Sequence, residues 1–299
     1  MKRREFLDVS LTPLTSLRFY AAHVANAPES KFERLYRRIA EDVHDGKPLI
    51  IITYAGLWPD GKQPENNIHW GTYHGPWRMF RQISKDARIS RQYRTNWEEL
   101  SLERDVYDPV RSAVFTAKCS SERWVKMGAP KEFDVYMVFH AFRNLRAGAV
   151  RMAEHLKHDA AQSISAGAKK LRLEDAQIVG YNGHNFYYDG PFYGLKHVKG
   201  SPKRQKGVFV IGCDTKPFFR DDLVDTNVTG VAFTTSFMAP EGYNILAMAD
   251  GLSKAAPGPE LARAMNESYR HWQMSTGNKR PGDLFVNDDY GLFRRGESA

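Results

Sequence analysis

AQIVGYNGHNFYYDG at 176–190 and KGVFVIGCDT at 206–215 are the two stretches on which the fold and the chemistry of this chain turn. Each begins as a short apolar run. Each run ends in a glycine followed at once by a reactive side chain, Gly183-His184 in the first and Gly212-Cys213 in the second. A strand of an open α/β sheet that stops at such a point delivers its last residue to the carboxyl edge, where ligand sites of these folds lie. A histidine and a cysteine there are the minimum set for thiolate chemistry, imidazole as base or ion-pair partner and sulfur as nucleophile. Pro217 soon after Cys213 starts a helix, and a helix N-terminus lowers a thiol pKa.

The rest of the chain reads as strands alternating with helices. Residues 30–46 carry Phe32, Leu35, Ile39 and Val43 at helical spacing. PLIIITY at 48–54 is a continuous β-branched run, the mark of a strand buried on both faces of a parallel sheet. Residues 89–96, 110–119, 133–140 and 228–235 read as further strands, with the polar WEELSLERD between the first two as a loop or excursion. Helices are expected from about Pro76, over 145–163, after 236 and over 259–274, and the tail GDLFVNDDYGLFRR as a final edge strand. The alternation predicts an α/β fold with a mainly parallel sheet flanked by helices.

The chain has 299 residues, 42% apolar and 26% charged, ordinary for a globular protein with a full core. No run of about 18 apolar residues is present, so no membrane span is expected. The net charge is +8, yet the bases are scattered. Their densest groups are Lys2-Arg3-Arg4, the loop KGSPKRQK at 199–206, and Arg294-Arg295. Nucleic-acid binding needs a focused field, so the loop reads as a solvated basic segment rather than a phosphate site. Of the two cysteines, Cys119 lacks a flanking glycine and reads as packing.

Two further segments matter. Arg3-Arg4-Glu5-Phe6-Leu7 resembles a twin-arginine export motif, with Ala25-Asn26-Ala27 as a small-residue cleavage site. Asp8, Pro13, Arg18 and His23 lie between them. The alternatives are an exported, periplasmic protein that loses residues up to about 27, and a cytoplasmic one with a 29-residue extension; either way 30–299 reads as one α/β domain. The second segment is the long loop after 54, which brings Trp58, His69, Trp70, His74 and Trp77 to a strand's carboxyl end. Loops of this length are usually functional. These residues are candidates for a pocket wall, as is His140 at the end of its own strand. A hydrolase directed at metals or sugars through His69, His74 and His140 is a third reading, but no ligand motif accompanies them.

Tyr181-Asn182-Gly183-His184, then a strand ending Gly212-Cys213, then VAFTTSFMAP at 231–240, resembles the caspase-like cysteine peptidases, and among them the gingipain type. The likeness covers about residues 176–252. It implies a three-layer αβα fold, a bacterial cysteine hydrolase that forms an acyl-thioester, a peptide or protein substrate and no cofactor. In that light Cys213 is the nucleophile and His184 the general acid/base. The amides of Asn185 and Cys213, and less so Gly183, are oxyanion candidates. Asn185 stands where the family usually has glycine. Asp189 and Asp214 are candidates for orienting His184 or shaping a basic-residue pocket. A non-catalytic binding module of the same fold, with an aromatic ligand surface, is the alternative.

Overall fold

The computed structural model describes residues 29–293 except 59–62, 106–107, 160, 191–193, 276 and 278–280. The twin-arginine motif, the turn at 59–61, Phe192-Tyr193 and Arg294-Arg295 lie outside the described residues.

The apolar runs form a sheet of eight strands. β1 (Leu49–Gly56), β4 (Phe133–Phe142), β7 (Ile178–Asn182), β8 (Lys206–Ile211) and β9 (Val228–Thr234) run parallel to one another. β2 (Glu98–Arg104), β3 (Arg111–Cys119) and β10 (Phe285–Val286) are antiparallel to their neighbours at the two edges. The order is β10-β9-β8-β7-β1-β4-β3-β2. All residues of β1, β7, β8 and β9 are buried. Side chains alternate across a strand, so Ile50, Ile52 and Tyr54 join one core while Leu49, Ile51 and Ala55 join the other. The first core is completed by α5 (Leu145–His158) and α7 (Lys216–Leu223). The second is completed by α1 (Lys31–His44), α2 (Pro76–Gln82), α8 (Gly242–Ser253) and α9 (Gly258–Ser275). Two apolar cores on either face of one sheet make a three-layer α/β/α architecture. The chain leaves β1 toward β4 and returns to its other side at β7, so the β1/β7 boundary is the topological switch point.

Four sequence expectations need correction. Residues 89–96 are not a strand: Asp86 caps the short helix α3 (Ala87–Ser90) by accepting from the Arg88 amide. The strand is instead the polar segment read as a loop. As β2 it lies at the sheet's edge with one side unpaired, so it needs no continuous apolar run. The helix expected to reach 163 ends at His158, with Asp159 in the left-handed region, and residues 163–172 form a hairpin, β5 (Ser163–Ala166) and β6 (Lys169–Arg172). The loop 199–206 is not wholly solvated, because Lys206 is 4% exposed and pairs with Asp159 at 2.5 Å.

Candidate active site at the carboxyl edge

Three strand ends meet through their glycines. A Cβ on Gly212 would lie 2.5 Å from the Gly183 carbonyl oxygen, and one on Gly183 would lie 2.9 Å from the Gly56 carbonyl oxygen. Gly183 also has φ +154°. Only glycine lets the ends of β1, β7 and β8 approach backbone to backbone. Asn182 and Ile211 are the last register pair of β7 and β8, and each chain carries its reactive residue two positions further on. His184 and Cys213 therefore emerge from adjacent strands, beside the switch point.

His184 is held on two sides. Its ring stacks on Trp58, centroids 4.5 Å apart and planes 13° apart. Its Nε2 lies 2.9 Å from Asp189 Oδ2. The 3₁₀ turn Phe186–Asp189 brings that carboxylate back to the ring. Tyr181, buried, donates from its hydroxyl to the His184 carbonyl at 3.2 Å. Among the described residues Nδ1 has no hydrogen-bond partner.

Cys213 is partly exposed. Its thiol donates to the Met238 carbonyl at 3.2 Å, and the Met238 amide points at sulfur from 3.4 Å. Among the described residues no hydrogen bond joins Cys213 to His184. The backbone turns sharply after the sulfur: Asp214 has φ +44° and its amide donates to the Ser236 carbonyl at 2.8 Å. α7 begins two residues beyond; Thr215 at its N-cap position makes no side-chain capping bond and turns its hydroxyl to the Val210 carbonyl instead.

Asn185 has a definite task. Its Nδ2 donates to the Cys213 carbonyl at 2.7 Å and its Oδ1 accepts from the Tyr187 amide at 3.2 Å. It ties the histidine turn to the cysteine turn, which glycine has no side chain to do. Of the three oxyanion candidates, Gly183 is withdrawn because its amide donates to the Ile211 carbonyl at 3.0 Å. The amides of Asn185 and Cys213 have no acceptor among the described residues.

The remaining candidates separate. Asp214 accepts from the Tyr188 hydroxyl at 3.2 Å on the sulfur side, where Tyr188 stacks on Phe237. His69 is buried under the β1 end with Nδ1 2.6 Å from the Gly56 carbonyl, and burial pushes its pKa down to about 4. His74 sits 3.6 Å from Glu241 among Tyr73, Tyr243 and Trp272. Trp70 is fully buried against Trp77, so it is core rather than pocket wall. His140 is also core. It is 8% exposed, hydrogen-bonds Ser112 at 2.8 Å, and burial pushes it down to about 4. Cys119 is buried with its thiol turned to the Ser253 carbonyl, and burial pushes its pKa up to about 12. Among the described residues no group of three or more His, Cys, Asp or Glu side chains is placed to hold a metal, and no helix is long and apolar enough to cross a membrane.

Sequence reasoning missed Met238 and the role of Asn185. Met238 acts through its backbone, which no residue type advertises. Asn185 carried a signal: Asn is a residue type whose side chain commonly accepts from the amide two positions on in a turn. Comparison with protein-family models, curated proteins and solved structures returned no significant match for the chain.

Proposed function

We propose that this protein is a cysteine hydrolase of caspase-like type that cleaves a peptide or another acyl bond. The observation that carries the reading is the pairing of a partly exposed Cys213 with an oriented His184 at neighbouring strand ends. In acylation the Cys213 proton passes to His184 Nδ1 and sulfur adds to the substrate carbonyl. The resulting oxyanion is met by the Asn185 and Cys213 amides. His184 gives its proton to the departing amine or alcohol as the C–N or C–O bond breaks, leaving the acyl-thioester. Water then adds to the thioester, its proton going to His184 and on to the departing sulfur. Asp189 holds the Nε2–H tautomer and stabilises the imidazolium that forms in each half. The thiol must leave the Met238 carbonyl for His184.

Electrophilic peptide probes test this directly. Labelling at Cys213, lost in Cys213→Ala and suppressed in His184→Ala, is expected. Equal modification of Cys119 and Cys213 by iodoacetamide at low pH rules out an activated thiolate.

A second reading has its own support. The thiol is engaged by Met238, and exposed aromatics, Trp58 at 37%, Tyr188 at 43% and Phe237 at 71%, flank the two residues. Such a rim suits a binding module without turnover. A ligand that binds wild type and Cys213→Ala alike, with no acyl-enzyme trapped, favours it.

A further inference from the structure

A cleft of about 520 Å³ opens on the flank of His184. Two of its walls are the partners of that ring, Trp58 and Asp189. Leu145 and Phe186 give it an apolar floor, and Arg143 and Arg146 stand at its side. No residue of the Cys213 turn lines it.

Position assigns the cleft a place in the reaction. The general acid must sit beside the atom that departs. The acyl half of a substrate therefore lies on the sulfur's flank and the departing half on the histidine's. A cleft walled by Trp58 and Asp189 receives the departing half.

Charge assigns it a ligand class. Its two carboxylates are already engaged: Asp108 accepts the Arg143 amide at 2.8 Å and the Asn144 amide at 3.2 Å, and Asp189 meets His184. The guanidinium of Arg143 is exposed and pairs with no carboxylate among the described residues. A guanidinium presents a planar fork of donors that matches a carboxylate. Of the four charged side chains that line the cleft, Arg143 is thus the one with no partner among the described residues. The exposed indole of Trp58 offers a face for the aliphatic or aromatic body of the same residue.

We propose that this cleft is the leaving-group subsite and takes a carboxylate, held by Arg143, with the apolar part of the departing residue against Trp58. The inference rests on the hydrolase reading for the words "leaving group", and on the cleft alone for the carboxylate. The carboxylate comes from an acidic side chain or from a free chain end.

Binding to the full-length Cys213→Ala protein, followed by calorimetry, tests it without turnover. The probes are aspartyl-phenylalaninamide, asparaginyl-phenylalanine and, as the neutral reference, asparaginyl-phenylalaninamide. At least one carboxylate peptide is expected to bind about tenfold tighter than the reference, the scale of one charge-assisted pair. The first identifies a side chain as the source and the second a chain end. Adding Arg143→Gln should erase the preference and Arg143→Lys should retain part of it. Equal binding of all three peptides, or a preference unchanged by Arg143→Gln, overturns the subsite. Acylation of wild type by a peptide thioester separates the two readings. A carboxylate preference with no acylation of Cys213 leaves an anion site and removes the hydrolase. Acylation with three equal affinities leaves the hydrolase and removes the subsite.

Discussion

His184 Nε2 and Asp189 Oδ2 stand 2.9 Å apart, joined by a single 3₁₀ turn. The carboxylate is 41% exposed, so its worth is electrostatic orientation of a ring rather than a buried ion pair. Asp189→Asn is expected to lower kcat/KM by about 10- to 100-fold, less than loss of a buried triad acid costs. An unchanged kcat/KM would reduce Asp189 to a surface acid.

Trp58 fixes the same ring from its face. Stacking of this kind is worth about 0.5–1.5 kcal/mol. Trp58→Ala should cost about 2- to 10-fold in acylation rate at nearly constant thermal stability, with Trp58→Phe recovering most of it. Stopped-flow trapping of the acyl-enzyme reads the step; equal rates in all three proteins would show that the stack is incidental.

The glycine contacts set a stability prediction that separates sterics from backbone strain. Gly212→Ala forces a methyl against the Gly183 carbonyl and should destabilise by about 1–3 kcal/mol. Gly128→Ala, at φ +94° with open space around the new methyl, carries only the left-handed cost, about 1–2 kcal/mol. The two differ in function: Gly212→Ala separates the β7 and β8 ends and should abolish Cys213 labelling, whereas Gly128→Ala should leave it intact. Urea midpoints together with probe labelling check both.

Three buried histidines predict acid sensitivity. Burial depresses His69, His140 and His155 to about 4, below the value near 6.5 of the unfolded chain. The unfolded state therefore binds more protons between these limits. Their contribution is full above pH 6.5 and is lost as pH falls toward 4, on the order of 1.4 kcal/mol per pH unit for each histidine. Urea midpoints should fall steadily from pH 7 to pH 4.5. His140→Gln should make the slope shallower, and a flat midpoint over this range would contradict the assignment.

Much of the fold was legible because parallel strands must be apolar on both faces. PLIIITY and KGVFVI announce themselves in composition alone, and they became β1 and β8. The glycine–His and glycine–Cys endings were legible for the same local reason, since a strand that stops at glycine stops where backbone must pass close. β2 was illegible: an edge strand needs only one pairing partner, so WEELSLERD shows no apolar run. Trp70 and His140 look the same in sequence whether they line a pocket or fill a core, and only packing told them apart.

The sequence by itself determined which residues are chemically able and that they stand at strand ends. It determined this through short-range rules, side-chain alternation and the conformational freedom of glycine. The tertiary structure decided what those residues face. Strand order made β7 and β8 neighbours, and through them His184 and Cys213. The carbonyl of Cys213 became the anchor for Asn185, turning an apparent departure into a tie between the two turns. Trp58, more than a hundred positions away along the chain, became the face on which His184 rests. Those relations join distant segments through hydrogen-bond register and packing, which exist only once the sheet has formed.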